Sequence, residues 1–148
     1  MRTANSLHLL AILLVGTAAL GAKAMDGPVS QSGLDPIPVS LDLDDKDKDS
    51  KALSDAIADA VRNDPRFTLV TRVPPLGLKM VMDDGVKPED DDSRHIEAYE
   101  VDFKSGSGKY VGASSGYCDR DKVAMCGRVV VQDSFDAYQA YIAKLHKS

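Results

Sequence analysis

Several residue types are scarce in this chain of 148 residues. It has no Trp, three Phe, five Tyr and only two Cys. It therefore offers no tryptophan platform for stacking single-stranded nucleic acid, and it lacks the sulfurs for a four-cysteine zinc site. Basic residues are also outnumbered, since 18 Lys and Arg stand against 23 Asp and Glu and give a formal charge of −5. Because acidic proteins repel phosphate backbones, we expect no nucleic-acid partner.

The most extended apolar run lies near the N-terminus, from Leu9 to Leu20. As a helix this run would span about 18 Å, which is short of a bilayer core of roughly 30 Å. Arg2 precedes it, and Ala22-Lys23-Ala24 follows with small residues at the two positions that a signal peptidase reads. The pattern predicts a cleaved signal peptide over residues 1–24, export to the periplasm or beyond the cell, and no transmembrane anchor after cleavage.

Cleavage after Ala24 would leave a mature chain that starts at Met25. The signal peptide carries Arg2 and Lys23 and no acid, so its loss would lower the formal charge from −5 to −7. Residues 25–36 are rich in Gly, Pro and Ser, a composition that predicts a flexible leader. Residues 37–148 have the length and composition of a single globular domain.

Cys118 and Cys126 are the only cysteines. In an oxidising compartment two such thiols favour a disulfide. By restricting the conformations of the unfolded chain, it would stabilise the fold by about 2 to 3 kcal/mol. The C-x7-C spacing excludes a C-x-x-C oxidoreductase, and a metal site would need soft ligands that only His95 and His146 could add. We therefore expect a structural disulfide, with no metal and no cofactor.

Hydrophobic periodicity predicts five strands and two helices. Alternation of apolar and polar residues predicts strands at Ile37–Asp44, Phe67–Val73, Leu78–Met82, Ile96–Phe103 and Tyr110–Cys118. Helical spacing predicts one helix from about Ser50 to Asp64 and another from about Asp133 to Lys147. The expected fold is α+β, a curved and largely antiparallel sheet of about five strands with both amphipathic helices packed on one face.

The helix ends carry their own signals. Asp49 or Ser50 is expected to cap the first helix, and Pro65 to end it near Asp64. For the second helix, Gly127 and the three valines at 129–131 leave open whether it begins upstream of Asp133.

Two segments, 42–49 and 83–92, hold 11 of the 23 acids. The first resembles the opening of an EF-hand calcium loop. However, Ser50 stands where that loop needs Gly, and Ala56 stands where it needs a bidentate Glu. We therefore expect no calcium site there, and we expect a solvated turn between the first strand and the first helix.

The second acidic segment is expected to lie in a solvated loop over residues 83–93. Its charge can serve simply to keep the loop out of the core, or it can form a docking surface for a basic partner. The candidate partner-binding residues are Asp83, Asp84, Glu89, Asp90, Asp91 and Asp92.

Catalytic patterns are weak. A Ser-His-Asp or Cys-His arrangement would depend on His95, because His146 is two residues from the C-terminus. Ser114 lies at the centre of a G-x-S-x-G match, but it sits inside a predicted strand and not at a strand-to-helix turn. Glu97, Glu100 and Asp102 could pair across strands for carboxylate-based hydrolysis of glycosides, with Glu100 and Asp102 on one strand face. We expect no catalytic residue.

The run Leu53, Ile57, Val61, Pro65, Arg66, Phe67, Leu69 and Val70 follows a strand and precedes paired strands and a final helix. In this order of elements, residues 37–145 resemble the small periplasmic α/β modules of TolB N-terminal domains and curli-secretion proteins. The resemblance implies a non-catalytic module that binds other envelope proteins. The acidic loop and the disulfide are not features of that group, so no binding residue is carried over from it.

These observations favour an exported, non-catalytic protein-binding module of the bacterial cell envelope, whose partner is another envelope or secreted protein, with a basic protein as the candidate. One alternative is an inhibitor or immunity protein for a periplasmic enzyme. Another is a small carboxylate-based hydrolase.

Overall fold

The computed structural model describes residues 35–91 and 94–147. Within the strands beside the gap, it describes only the backbone of residues 88–91 and 94–96. The predicted signal peptide, most of the predicted flexible leader and Asp92 lie outside the described residues.

Six strands and two α-helices follow one another in the described part of the chain. They are β1 Ile37–Leu43, α1 Lys48–Arg62, β2 Phe67–Leu69, β3 Leu78–Met82, β4 Lys87–Asp91, β5 Arg94–Ser105, β6 Tyr110–Asp119 and α2 Val123–Leu145. A 3₁₀ turn at Arg120–Lys122 joins β6 to α2. The predicted α+β class is confirmed.

The strands form one mixed, open sheet. β1 lies between β2 and β3 and runs parallel to both. β6 pairs antiparallel with residues 96–104 along one edge of β5. β3 and β4 share the other edge of β5, where β3 pairs with residues 102–105 and β4 pairs with residues 94–98. The prediction of a largely antiparallel sheet is thus confirmed only in part, because α1 carries the chain back and makes β2 parallel to β1.

Strand alternation builds one core between this sheet and the helices. Every second residue of the central strands is buried on the face toward the helices, as are Leu53, Ile57 and Val61 of α1. The most deeply buried side chains are Val39, Leu53, Ile57, Val61, Leu78, Met80, Val101, Phe103 and Val130. Each contributes about 1.5 to 3 kcal/mol through burial, which is why both helices are held on that face.

α2 begins at Val123, ten residues upstream of the predicted start. Gly127 lies where α2 crosses α1, and a Cβ atom there would lie 2.6 Å from the carbonyl carbon of Ala56. Val130 and Val131, in the next turn of α2, are buried. Close approach of the two backbones and burial of the valines outweigh the weak helix propensity of these residues.

Three local predictions are wrong. The chain from Lys87 to Asp91 is strand β4, although residues 83–93 were expected to be a loop, because pairing with β5 satisfies its backbone groups. β2 ends at Leu69 rather than Val73. α1 is capped by Asp47 rather than Asp49 or Ser50, so the helix begins at Lys48.

Candidate protein-binding surface

The face of the sheet opposite the helices is the open face. On β5 it carries Ala98, Glu100, Asp102 and Lys104, which alternate with the buried residues Tyr99, Val101 and Phe103. The neighbouring strand β6 presents Ala113, Ser115 and Tyr117 beside them. Neither α1 nor α2 covers this face, because both helices pack on the buried side.

A notch interrupts the open face where β3 ends and β4 begins. Residues 99–101 of β5 have no paired residue on that edge in the described chain, and the loop from Asp83 to Val86 bridges the gap. The resulting open cavity has a volume of about 320 Å³. Its charged lining consists of Asp83, Asp84, Lys87, Glu100 and Asp102. We call this cavity the acidic notch.

Lysines only partly balance the acids of the notch. Lys104 Nζ lies 3.5 Å from Asp102 Oδ2 and 4.0 Å from Asp83 Oδ2, while Lys87 Nζ lies 3.9 Å from Asp84 Oδ2. Exposed pairs of this length contribute roughly 0 to 1 kcal/mol each. Glu100 is exposed and forms no ion pair with any described residue. Among the described side chains, the four carboxylates outnumber Lys87, Lys104 and Lys79, which is paired in register with Lys104, so the surface stays negative.

The bridging loop is held by the turn between β1 and α1. Val86 N donates to Ser50 Oγ over 3.0 Å, and Asp44 N donates to the carbonyl oxygen of Met82 over 3.1 Å. Gly85 has a φ of 67°, and a Cβ atom there would lie 2.6 Å from Ser50 Oγ, so only glycine fits. The two acidic segments of the sequence consequently meet at one end of the sheet.

Asp47 organises that turn. Its Oδ1 accepts from Asp49 N over 2.9 Å and from Ser50 N over 2.8 Å, and its Oδ2 accepts from Ser50 Oγ over 2.5 Å. These bonds cap α1, and the hydrogen bond from the Ser50 side chain is the main cause of a lowered pKa for Asp47. Asp47 belongs to the segment that resembles a calcium loop in the sequence, but in the structure its carboxylate is the N-cap of α1.

An ion pair between a buried carboxylate and a partly exposed arginine lies behind the same end of the sheet. Glu97 is 1% exposed, and its Oε1 accepts from Arg120 Nε over 2.7 Å. Arg120 also donates from Nη2 to Asp49 Oδ2 over 3.1 Å. Glu97 is paired in register with Cys118, which forms the predicted disulfide with Cys126 at an Sγ–Sγ distance of 2.06 Å. Arg120 lies inside the loop that this disulfide closes.

The structure brings some predicted site residues together and leaves others undescribed. Asp83 and Asp84 line the acidic notch. Glu89, Asp90 and Asp91 belong to β4, and only the backbone of these three residues is described; Asp92 lies outside the described residues.

Sequence reasoning did not assign Glu100 and Asp102 to the binding surface. Their alternation with the apolar residues of β5 was a usable signal that they face away from the core. Their proximity to Asp83 and Asp84 was not readable, because it depends on β3 and β4 sharing one edge of β5.

Among residues 35–91 and 94–147, no group of three or more His, Cys, Asp and Glu side chains is placed to hold a metal ion. In that same part of the chain, no helix has the length and apolar character needed to cross a membrane. Comparison of the chain with protein-family models, characterised proteins and solved structures finds no match. The resemblance to TolB N-terminal and curli-secretion modules stays a prediction.

Proposed function

We propose that this protein is an exported, non-catalytic module of the bacterial cell envelope that binds a basic protein surface on the open face of its sheet. One observation carries the proposal. The acidic notch collects Asp83, Asp84, Glu100 and Asp102 on a face that neither helix covers, and among the described side chains Lys87 and Lys104 form ion pairs with three of them. A cationic protein surface is the complementary partner.

The composition of the open face supports protein binding. Tyr117 is 68% exposed and is paired in register with Ala98, which lines the notch. Exposed aromatic side chains beside charged groups are typical anchors of protein interfaces, since they bury a large apolar area and keep a polar tip. The tyrosine would supply contact area, while the carboxylates would steer the partner and fix its orientation.

The disulfide supports the exported location. Stable disulfides persist in oxidising compartments, and this one joins β6 to the first turn of α2. Both the periplasm and the extracellular medium satisfy this requirement. An inhibitor or immunity role would be the same mode of binding with a basic enzyme as the partner.

A binding experiment with envelope extract tests the proposal. Immobilised wild-type protein should retain a basic protein at about 50 mM salt and release it at about 500 mM, because exposed charges are screened over a few ångströms at high salt. The variant Asp83→Asn/Asp84→Asn/Glu100→Gln should lose this protein. A matched control, Asp55→Asn/Asp59→Asn/Asp136→Asn, removes the same charge from exposed helix positions. Equal retention by the two variants would contradict the proposal.

A carboxylate-based hydrolase is the second candidate, because Glu100 and Asp102 lie on one strand face within the notch. Purified protein can be assayed with chromogenic glycosides and followed by absorbance. We expect no turnover. Turnover that disappears in Glu100→Gln and persists in Asp55→Asn would replace the binding proposal with an enzymatic one.

A further inference from the structure

The C-terminal end of α2 extends past the start of β6. α2 follows β6 after one 3₁₀ turn and runs back along it, and a Cβ atom at Gly112 would lie 2.9 Å from that of Ala137. From Ala137 the helix continues to Leu145, a further length of about 12 Å. From Gly112 the strand continues only to Tyr110, about 7 Å away. The last turns of α2 therefore reach the level of the turn between β5 and β6.

The apolar stripe that α2 packs on the core continues to this end of the helix. Phe135 and Tyr138 pack against the core, and Ile142 and Leu145 follow on the same side at helical spacing. The Tyr138 hydroxyl donates to the carbonyl oxygen of Leu76 over 2.8 Å. Beyond this contact the exposure rises, and Leu145 is 40% exposed. The stripe is thus covered by the sheet at Phe135 and open to solvent at the helix end.

Three segments of the chain meet at this end of the sheet. They are the loop over residues 70–77, the turn and strand start over residues 105–112, and the end of α2 over residues 137–147. Gly106 N donates to the carbonyl oxygen of Gly77 over 2.9 Å and joins the first two segments. The hydrogen bond from Tyr138 joins the third segment to the first. We call the surface of these three segments the basic tip.

The basic tip combines cations with exposed apolar side chains. Its three segments contain no Asp or Glu. Its exposed cations are Arg72, Lys109, Lys144 and Lys147. Tyr110 and Leu76, which are 64% and 57% exposed, accompany Leu145 as its exposed large apolar side chains.

The acids of the notch lie away from the basic tip. Glu100 precedes Ser105 by five residues on β5, which is about 17 Å along the strand and about two Debye lengths at physiological salt. In the last turn of α1 and just after it, acids are paired with arginines, as Asp59 with Arg62 and Asp64 with Arg66. Asp35 and Asp136 border the tip and offset part of its charge. A negatively charged surface is therefore attracted at the tip, although the chain as a whole is acidic.

We propose that the basic tip docks peripherally on an anionic phospholipid surface. Cations alone would attract an acidic protein equally well, but the apolar stripe beside them favours lipid, because a basic amphipathic helix end is typical of segments that lie in a membrane interface. Tyrosine rings suit that interface, since they have an apolar body and a polar tip. The lysine stems can lie along apolar surface while their ammonium groups reach the phosphates.

Vesicle binding tests the proposal. The exported protein should co-sediment with phosphatidylcholine vesicles that contain about 30% phosphatidylglycerol, and not with pure phosphatidylcholine vesicles. Lys144→Gln/Lys147→Gln should bind about 20-fold more weakly, since each lysine near an anionic lipid surface contributes a factor of about five. Leu76→Ser/Leu145→Ser keeps the charge and should bind about tenfold more weakly, because less apolar area is buried. Lys46→Gln/Lys51→Gln, at exposed positions away from the tip, is the control for charge and should bind as the wild type does.

A tryptophan reporter would locate the contact. The chain has no Trp, so Tyr110→Trp and Tyr117→Trp each give a protein with a single tryptophan. The two positions are similarly exposed and lie about 23 Å apart along β6. On addition of the phosphatidylglycerol vesicles, the emission of Tyr110→Trp should shift to shorter wavelength and that of Tyr117→Trp should not.

Four results would overturn the proposal. They are a wild type that does not bind the anionic vesicles, equal binding to the neutral vesicles, equal losses in the tip and control lysine variants, and unchanged binding by Leu76→Ser/Leu145→Ser. The last result, together with retention of an acidic protein, would assign the tip to protein binding. The notch variant Asp83→Asn/Asp84→Asn/Glu100→Gln should still bind the vesicles. Failure of the lipid proposal is therefore distinguishable from failure of the notch as a site for a basic protein.

Discussion

At the scale of single residues, Gly127 shows how packing overrides local preference. Glycine inside a helix costs about 1 kcal/mol relative to alanine. Yet a methyl group at this position would lie 2.7 Å from the carbonyl oxygen of Ala56 and 2.9 Å from the amide nitrogen of Ile57. These are backbone atoms of α1, which cannot move aside without moving the helix.

We expect Gly127→Ala to lower the free energy of unfolding by about 1 to 3 kcal/mol, the range for overpacked sites, despite its gain in helix propensity. Urea denaturation followed by circular dichroism would measure the change. Ala140→Gly, at an exposed position of α2, is the control and should cost only the propensity difference. An equally stable or more stable Gly127→Ala protein would show that the helices do not cross this closely.

Arg66 links the end of α1 to α2 through two kinds of contact. Its Nε donates to Asp64 Oδ1 over 2.9 Å and its Nη2 donates to Asp64 Oδ2 over 2.6 Å. Its guanidinium carbon also lies 4.2 Å from the centre of the Phe135 ring, which is a cation–π distance. Hydrogen bonding from the Arg66 side chain is the main cause of a lowered pKa for Asp64.

The lowered pKa of Asp64 predicts acid sensitivity. Its pKa in the folded state lies below the unfolded value of about 3.9, so the carboxylate stabilises the fold above that value and loses this contribution as the pH falls through its folded pKa. Asp64→Asn should therefore be less stable than the wild type at pH 7 and should lose less stability between about pH 5 and pH 2. Urea denaturation across this range would measure how steeply the free energy of unfolding of each protein falls with pH. An identical fall in the wild type and in Asp64→Asn would contradict a lowered pKa for Asp64.

At the scale of elements, the disulfide, the 3₁₀ turn and β5 act together. The turn supplies Arg120 to the buried carboxylate of Glu97, and the disulfide joins the strand before the turn to the helix after it. Asp49 in the first turn of α1 accepts a further bond from Arg120. Three elements are therefore held at one point, directly behind the loop that forms the acidic notch.

Removing one partner of the Arg120–Glu97 ion pair should lower the free energy of unfolding more than removing both partners. Arg120→Met would leave the buried carboxylate of Glu97 without the Nε–H donor of Arg120, and we expect it to lower the free energy of unfolding by about 1 to 3 kcal/mol. Arg120→Met/Glu97→Met should recover a large part of that loss. A double-mutant cycle, with the free energy of unfolding of each variant measured by urea denaturation, would give the coupling energy between Arg120 and Glu97. If the losses of the two single variants add up to the loss of the double variant, the ion pair does not contribute as expected.

Comparing predicted with observed elements shows which of them local sequence patterns specify. β1, β3 and β6 lie within a residue of their predicted bounds, because strict alternation follows from the pleat of a strand with one buried face. β4 was missed because Pro and acidic residues have low strand propensity, and its pairing with β5 is a long-range interaction. The upstream half of α2 was open for a similar reason, since its valines and Gly127 are explained only by α1.

At the scale of the whole molecule, the sheet separates two kinds of surface. One face is buried under the helices, while the open face combines Tyr117 with the acidic notch. The loop that carries Asp83 and Asp84 and the strand that carries Tyr117 lie on opposite sides of β5, so a partner that contacts both must span that strand.

A cationic probe should locate the binding surface. In an NMR titration with a lysine-rich peptide at about 50 mM salt, amide signals from residues 81–87 and 98–102 should shift more than those of the exposed acids on α1. The shifts should shrink at about 500 mM salt, because screening removes the attraction. Equal shifts at Asp55 and Asp59 would show that the protein attracts cations through its overall charge and not through the notch.

The amino-acid sequence by itself determined the α+β class, most strand positions, the disulfide partners and the acidic character of the chain. Each of these follows from local backbone periodicity or from residue counts. Only the tertiary structure decided that β3 and β4 share one edge of β5, that this arrangement opens a notch among four carboxylates, and that β6 pairs along the other edge of β5. Strand order depends on which apolar faces pack together across the whole chain, and no local pattern specifies that choice.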